Sequence, residues 1–369
     1  MPEEKVIEAY VPNTGAIPSP DDYRDRMAAQ SVYDKMSADL AAGTLPYQFE
    51  TDIAALGEAL DQNKTSACVS HAWALVMKYW WWKKTGELVD FSPRYLHIMS
   101  RQDWIPVDGG RVPRDVCKVS AKNGCCTTRL LPNDTENLTH AEYGNPAVLT
   151  AEMHAEAAKY KIPGYIRIPD NSVSDFRRAI QQLGLVSGLF SISDAFWTAE
   201  DGTVTWAANR IDPLRIKPST SNHQMVVRGW IDTMNIVRNS WSKLWANNGE
   251  AKYKAGSWLP FIWEGWAIAE VPADLKAFLS ALPAPADFHY QWNTDLKAGM
   301  APNDDIKMAQ IFFMMHGFLG IVPPEQLGYY GPLTAKAVQK YQTYKKISPT
   351  APNSIGPKTR AAMNADAAL

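Results

Sequence analysis

The first half of the sequence is patterned for helices and the second half for strands. Apolar side chains recur at helical spacing in four successive segments: 65–86, 114–122, 153–160 and 174–183. Four later segments are short runs of β-branched or aromatic residues between turn residues: 185–192, 224–232, 234–241 and 249–254. Helices that precede strands in this way predict an α+β fold with segregated halves.

The 369 residues are enough for two domains. We expect an N-terminal arm and a helix near 27–40, together within residues 1–60 and packed on the main domain. The main domain is expected over 61–281, a proline- and alanine-rich linker over 282–289, and a small all-α domain over 290–369. In that last segment, Gly-Pro-x-Thr occurs at 331 and again at 356, and each copy places proline at the first position of a predicted helix.

Composition excludes several classes of function. A net charge of −2 and the lack of a dense Lys/Arg stripe argue against nucleic-acid binding. The acidic, polar start predicts no secretory signal, and the most apolar run is too short to span a bilayer. We therefore expect a soluble protein made in the cytoplasm. Four cysteines without a C-x-x-C pair, among scattered histidines, predict no metal site, and no organic cofactor is implied.

Cys68 lies in the first turn of the first long predicted helix. Most cysteines on amphipathic helices belong to the core, so a structural role is one interpretation. The other is a reactive thiol, because the positive end of the helix dipole lowers a thiol pKa and favours the thiolate. Gln62, six residues upstream, carries an amide that could donate to an oxyanion next to the sulfur.

Two histidines compete as the base for Cys68. His71 lies three residues further along the same helix, on its surface, and is interpreted as a structural residue. His223 precedes an apolar run, and Asn239 follows 16 residues later, at the spacing of a hairpin that turns near residue 232. An asparagine oxygen there could orient the imidazole, and Trp241 could cover their hydrogen bond.

In this order, Gln62, Cys68, His223 and Asn239-Ser240-Trp241 resemble the papain-like cysteine peptidases. The resemblance spans about residues 10–275 and implies a two-lobed fold, with a helical lobe and a β-rich lobe, and a thioester mechanism. The separation of Cys68 from His223 exceeds the family's usual spacing, which implies an insertion of about twenty residues near 196–220. Thr65, Ser66, Val69 and Ser242 depart from the family pattern.

The C-terminal segment resembles the small peptidoglycan-binding-like domains of bacterial and phage hydrolases. The motifs that carry this resemblance are DIKMAQIFFMMHGF, GYYGPLTAKAVQKYQ and SIGPKTRAAMNA. Candidate glycan-binding residues are Tyr329, Tyr330, Gln339 and Gln342. A helical docking module without a glycan ligand is the alternative.

The sequence therefore predicts a cysteine peptidase that acts on polypeptides through Cys68, His223, Asn239 and Gln62. Residues 290–369 would bind peptidoglycan or an assembly partner, and lysis, a secretion machine or a virion would deliver the protein outside the cell. Two alternatives are a structural protein of a larger assembly that keeps the scaffold, and a hydrolase of peptidoglycan cross-links.

Overall fold

The computed structural model describes residues 14–27, 45–51, 56–168, 173–192, 203–204, 222–254, 262–349, 351 and 353–367. Residues 23–27 are helical, and the rest of the helix expected near 27–40 lies outside the described residues. The insertion expected at 196–220 also lies outside them, apart from residues 203–204.

The chain divides into two compact units at boundaries that differ from the expected ones. The main unit comprises Met1–Ser19 and Ala42–Glu270, and the C-terminal unit comprises Pro20–Ala41 and Val271–Leu369. The segment expected as a linker, 282–289, therefore lies inside the C-terminal unit, because Leu282 and Phe288 are apolar and buried there. The Tyr23 hydroxyl donates to Pro283 O at 2.8 Å, which ties the helical residues 23–27 to the same unit.

Most helices of the main unit precede most of its strands, as the periodicity predicts; one strand comes before the first helix and another before the last. The helices are α1 (Cys68–Thr85), α2 (Pro93–Met99), α3 (Pro113–Lys122), α4 (His140–Tyr143), α5 (Ala151–Ala157) and α6 (Val173–Leu183). Helix α1 packs against α2 and α3, and its buried side chains form one core with side chains of the sheet.

The strands of the main unit form one eight-stranded sheet. They are β1 (Gln48–Glu50), β2 (Tyr165–Ile168), β3 (Val186–Ser191), β4 (Thr203–Val204), β5 (Asn222–Ile231), β6 (Met234–Arg238), β7 (Glu250–Lys254) and β8 (Ile262–Ile268). Their order is β2-β8-β3-β5-β6-β7-β4, and β1 also pairs with β5. The pairings are antiparallel except for β4 with β7. The structure thus confirms the α+β class and the segregation of helices from strands.

Helix α1 begins differently from the start that its sequence suggests. Thr65 and Ser66 are good capping residues, but the N-cap is Ala67, which makes no side-chain cap. The Thr65 hydroxyl donates instead to Gln62 O, and the Ser66 hydroxyl donates to Asp108 O. The two hydroxyls therefore tie α1 to neighbouring loops, and Cys68 is left as the first helical residue.

The C-terminal unit is helical in its described residues. It contains α7 (Ala273–Ser280), α8 (Asp304–Met315), α9 (Pro332–Tyr344) and α10 (Pro357–Ala367). The prolines of both Gly-Pro-x-Thr copies start helices, as predicted. Its core includes Trp292, Phe312, Phe313 and Tyr341, whose rings are in contact. Across the described ranges of both units, no helix has the length and apolar character that a membrane span needs.

Two glycines that end helices of the main unit allow a matched test of this packing. Gly86 ends α1 and Gly184 ends α6, both with positive φ, but a Cβ on Gly184 would lie 2.1 Å from the Tyr79 ring while Gly86 faces open space. Gly86→Ala should therefore cost only the left-handed strain, about 1 kcal/mol. Gly184→Ala should add an overpacking cost and reach about 2–4 kcal/mol in total. Thermal unfolding midpoints of the intact chain would measure both, and equal midpoints would contradict the close contact.

Candidate active site

Cys68 lies where the helices meet the sheet. Helix α1 packs against β5, and its first residue, Cys68, is fully buried among core residues. The main-chain N–H of Gln224, the residue after His223, faces the Cys68 sulfur. The packing therefore brings a thiol from the first half of the chain next to the start of β5.

His223 and Asn239 are joined across the predicted hairpin. Strands β5 and β6 pair antiparallel with Ile231 opposite Met234, so the chain turns at residues 232–233 as expected. Nε2 of His223 lies 2.6 Å from Oδ1 of Asn239. The same oxygen accepts from Ser240 N at 2.7 Å, which fixes the orientation of the amide. Because Oδ1 can only accept, Nε2 carries the proton and Nδ1 is left as the basic nitrogen.

The imidazole of His223 is shielded from water. It is fully buried, and within the described ranges its Nδ1 has no hydrogen-bond partner. The Trp241 ring packs against it, with 4.5 Å between the ring centroids. Trp241 thus packs on the same imidazole that bonds to Asn239.

Gln62 is held next to this hairpin by Ser240. The Ser240 hydroxyl donates to Gln62 Oε1 at 2.6 Å, and Gln62 N donates to Ser240 O at 2.9 Å. Gln62 Nε2 donates to Thr65 O at 2.9 Å, so one of its two N–H groups points toward the turn before α1. Ser240 therefore contacts both Gln62 and Asn239, and the sequence analysis assigned it no role of its own.

Residues 14–19, which we call the arm, lie across the thiol. Arg111 N donates to Gly15 O at 2.8 Å, and Ile17 N donates to Arg111 O at 3.0 Å. On the other side, Ala16 N donates to Asn222 O at 3.2 Å. A Cβ on Gly15 would lie 2.2 Å from Ser66 O, so the arm touches the main chain just before Cys68. The arm therefore bridges the helical and strand-rich sides through its main chain.

Burial under the arm sets the protonation state of the pair. Burial raises the pKa of Cys68 to about 11, although hydrogen bonds from the main-chain N–H groups of Gln224 and Gly15 act to lower this pKa. Burial lowers the pKa of His223 to about 4, although the hydrogen bond to Asn239 acts to raise this pKa. The expectation of a low-pKa thiol is therefore wrong for this closed form, because loss of hydration outweighs the helix dipole.

His71 is buried within the helical half and bonds to its own helix, because its Nδ1 donates to Ala67 O at 2.8 Å. Its ring stacks on Tyr143, with 6.4 Å between centroids, and burial lowers its pKa to about 4. A neutral imidazole committed to its own helix fits packing better than proton transfer.

The four glycan candidates do not share one environment. Tyr329 and Gln339 are exposed. Tyr330 and Gln342 are buried: the Tyr330 hydroxyl donates to Asn353 O, and Gln342 Nε2 donates to Ser354 O and to the Thr359 hydroxyl. Their polar groups hold loops of the fold, which corrects their placement at a groove rim. The helical spacing of Val338, Tyr341 and Gln342 could have indicated that Gln342 faces inward.

The features that sequence reasoning missed are the position of the arm over Cys68, Ser240 and a buried acid, Glu264. An N-terminal arm was expected, but its place over Cys68 left no signal, because its contacts run through the main chain. Ser240 was hidden inside the Asn-Ser-Trp motif, and Glu264 stands out only as a charge within an apolar strand. All four cysteines are buried and form no disulfide among the described residues. The described part of the chain contains no group of three His, Cys, Asp or Glu residues placed to hold a metal ion.

Comparison with known proteins gives one family and a set of solved structures. The model of the papain family cysteine protease matches residues 46–258. A search of curated proteins found no match.

The solved structures extend the comparison to the fold. Xylellain, a cysteine protease from Xylella fastidiosa, matches with a TM-score of 0.56 and 18% identity, over 70% of this chain and 96% of its own. Digestive procathepsin L 3 of the Tenebrio molitor larval midgut matches with a TM-score of 0.49 and 15% identity, over 62% of this chain and 71% of its own. The Carica candamarcensis cysteine protease CMS1MS2 in complex with E-64 matches with a TM-score of 0.47 and 16% identity, over 62% of this chain and 100% of its own. The xylellain match supports the fold.

Disrupting the contact between Gly15 of the arm and Ser66 O should expose the Cys68 thiol to water. Gly15→Ala introduces a Cβ that cannot fit against Ser66 O, so the arm should detach and water should reach Cys68. We expect iodoacetamide to label Cys68 at pH 7 at least about tenfold faster in this variant, because the hydrated thiol ionises more readily. Mass mapping would measure the label.

The control for this experiment is Gly320→Ala, where the added methyl meets open space. It should label at the rate of the unchanged protein, which should rise only toward alkaline pH because the pKa of Cys68 is raised to about 11. Equal rates for Gly15→Ala and Gly320→Ala would contradict the covering role of the arm.

Proposed function

The chain belongs to the papain family of cysteine proteases and is a papain-like cysteine peptidase, and from this we propose that Cys68, His223, Asn239 and Gln62 carry out its chemistry. The observation that carries the proposal is the buried hydrogen bond between His223 and Asn239, which leaves Nδ1 of His223 as the basic nitrogen. The Cys68 thiol lies next to the start of β5, the strand that contains this histidine. A nucleophile, a base and a group that orients the base are the parts that acyl transfer requires.

The proposed reaction proceeds in two halves. The Cys68 thiolate attacks the amide carbonyl after its proton passes to Nδ1 of His223, and Asn239 holds the resulting imidazolium in place. The main-chain N–H of Cys68 and the second N–H of Gln62 donate to the oxyanion, and the imidazolium then protonates the leaving amine. Water, deprotonated by His223, hydrolyses the thioester and restores the thiol.

The arm supports a polypeptide as the substrate. Family membership implies a polypeptide, and the arm is itself a stretch of polypeptide bound over Cys68 by main-chain hydrogen bonds to Arg111 and Asn222. A substrate would compete for the same donors and acceptors, so the closed form is latent. We propose that turnover requires the arm to leave the cleft.

The two histidines can be separated by substitution in arm-released protein. His223→Ala should lower kcat/KM by about 10³-fold or more, because both proton transfers pass through this ring. His71→Ala should stay within about threefold if the fold survives, since its bonds lie within α1. A fluorogenic peptide assay would measure both, with thermal melting as the folding control. A larger loss for His71→Ala would favour the helix-local pair.

For the C-terminal unit we propose glycan binding that directs the peptidase to cell wall. The unit contains a cavity of about 640 Å³ that residues from four of its segments line: Pro285, Phe288, Met315, His316, Phe318, Tyr344, Lys345, Asp366 and Ala367. Aromatic faces combined with hydrogen-bonding groups at a cavity mouth suit a sugar ring. Assays on a protein substrate and on cross-linked peptidoglycan would show which of the two contains the scissile bond.

Sedimentation with purified sacculi tests this proposal, with the full chain carrying Cys68→Ser so that the wall stays intact. The chain should cosediment, and Tyr344→Ala should weaken binding by about tenfold because a stacking face is lost. Tyr329→Ala, the candidate outside the cavity, should have less effect. A folded chain that stays in the supernatant would favour an assembly partner over glycan.

A further inference from the structure

The C-terminal unit contains a long segment without acidic residues. Residues 326–365 include six Lys or Arg and no Asp or Glu, in a chain whose net charge is −2. This segment forms all of helix α9 and most of helix α10. The positive charge of the unit is therefore concentrated on one stretch of the chain.

Only two of these six basic residues are neutralised by carboxylates. Lys345 pairs with Asp366 at 2.7 Å, and Arg360 pairs with Asp295. Three others are exposed and, among the described residues, have neither an ion pair nor a side-chain hydrogen bond: Lys336, Lys340 and Lys346. The segment thus presents unpaired positive charge to the solvent.

Helix α9 carries two of these lysines in one row on its exposed face. The helix buries its opposite side, which consists of Thr334, Ala337, Val338, Tyr341 and Gln342. Lys336, Lys340 and Tyr344 are spaced four residues apart, so they follow one another at about 6 Å along the helix axis. Tyr344 is 69% exposed and lines the cavity of this unit. The lysine row therefore leads directly to the cavity.

The stability of the unit does not account for this arrangement. Two lysines four residues apart on a helix repel each other, which destabilises the helix slightly. No carboxylate follows within the next turns to offset the repulsion, because the segment contains none. Binding of an anionic partner is the more direct explanation for the row.

The geometry of the row fits a strand with repeated single negative charges. A strand that leaves the cavity at Tyr344 and runs along α9 would pass Lys340 and then Lys336. Lysine is a compact charge that suits individual phosphate groups, whereas the planar guanidinium of arginine suits the bidentate geometry of a carboxylate. The row contains lysine only, so phosphodiester groups are the favoured chemistry.

A membrane surface and a nucleic acid fit this face less well. A helix that lies on a membrane needs a continuous apolar stripe, but the exposed apolar residues Leu333 and Tyr344 lie 11 positions apart, about 16 Å, with the lysines between them. A nucleic-acid strand needs aromatic rings for successive bases. Of the two aromatic residues in α9, Tyr341 is buried, so a single ring is available.

Resting on the proposed wall targeting, we propose that Lys336 and Lys340 bind a phosphodiester-linked polymer attached to the cell wall, while a sugar unit of the same strand stacks on Tyr344 at the cavity. The lysine row thereby selects wall that carries this polymer over bare peptidoglycan.

Sedimentation with two preparations of sacculi tests the inference on the full chain carrying Cys68→Ser. One preparation retains phosphodiester polymers, and the other has lost them through hydrofluoric acid treatment. The retained preparation should bind about tenfold more tightly at low salt. The difference should disappear at about 0.5 M salt, because exposed charges are screened. Equal binding to the two preparations at low salt would overturn the inference.

The double variant Lys336→Gln and Lys340→Gln identifies the residues. It should lose the preference for the retained sacculi and keep its binding to the stripped ones. Lys276→Gln with Lys297→Gln is the matched control, because it removes two exposed lysines of the same unit and gives the same net charge. A preference that survives the first double variant, or an equal loss in the control, would overturn the assignment to α9.

A soluble probe, poly(glycerol phosphate), separates this inference from the proposed glycan binding. Binding of the probe that requires Lys336 and Lys340, without sedimentation on stripped sacculi, would keep the inference and discard the glycan site. Sedimentation on stripped sacculi without binding of the probe would do the reverse. Equal or tighter binding of single-stranded oligothymidylate or of vesicles with anionic lipid would overturn the choice of partner.

Discussion

The packing of helix α1 against strand β5 is the contact on which the site depends. Cys68 is the first residue of α1 in the helical half, and His223 lies near the start of β5 in the strand-rich half. No local interaction can bring these residues together, so burial of the apolar face of α1 against the sheet has to do it. The hairpin of β5 and β6 then adds Asn239, and Ser240 links that hairpin to Gln62. The proposed reactive groups are thus positioned by the core itself.

Loss of hydration, more than the distance between the two side chains, controls the protonation of Cys68 and His223. With the arm in place, burial keeps the Cys68 thiol protonated and the His223 imidazole neutral, although both the helix N-terminus and the neighbouring N–H groups favour the thiolate. The same main-chain groups that would bind a substrate bind the arm at Arg111 and Asn222. One short segment can therefore block access and suppress ionisation at once, and Glu264 anchors its far end.

The sequence was informative wherever side-chain pattern determines structure. The α+β class, the hairpin between His223 and Asn239 and the proline-started helices at 332 and 357 all follow from periodicity, spacing and turn chemistry. Main-chain contacts leave no such pattern, so the covering role of Gly15 and the raised pKa of Cys68 could not be predicted. The assignment of residues 20–27 to the C-terminal unit depends on long-range packing, such as the hydrogen bond from Tyr23 to Pro283 O, which composition does not encode.

The most direct test of the account is to trap the covalent intermediate. Arm-deleted protein would be mixed with an activated ester of a short peptide, quenched in acid within the burst phase, digested and analysed by mass spectrometry. The account predicts the acyl mass on the peptide that contains Cys68, with its loss on hydroxylamine treatment as expected for a thioester. Acyl mass on Cys117, Cys125 or Cys126, or none on any cysteine during turnover, would contradict it.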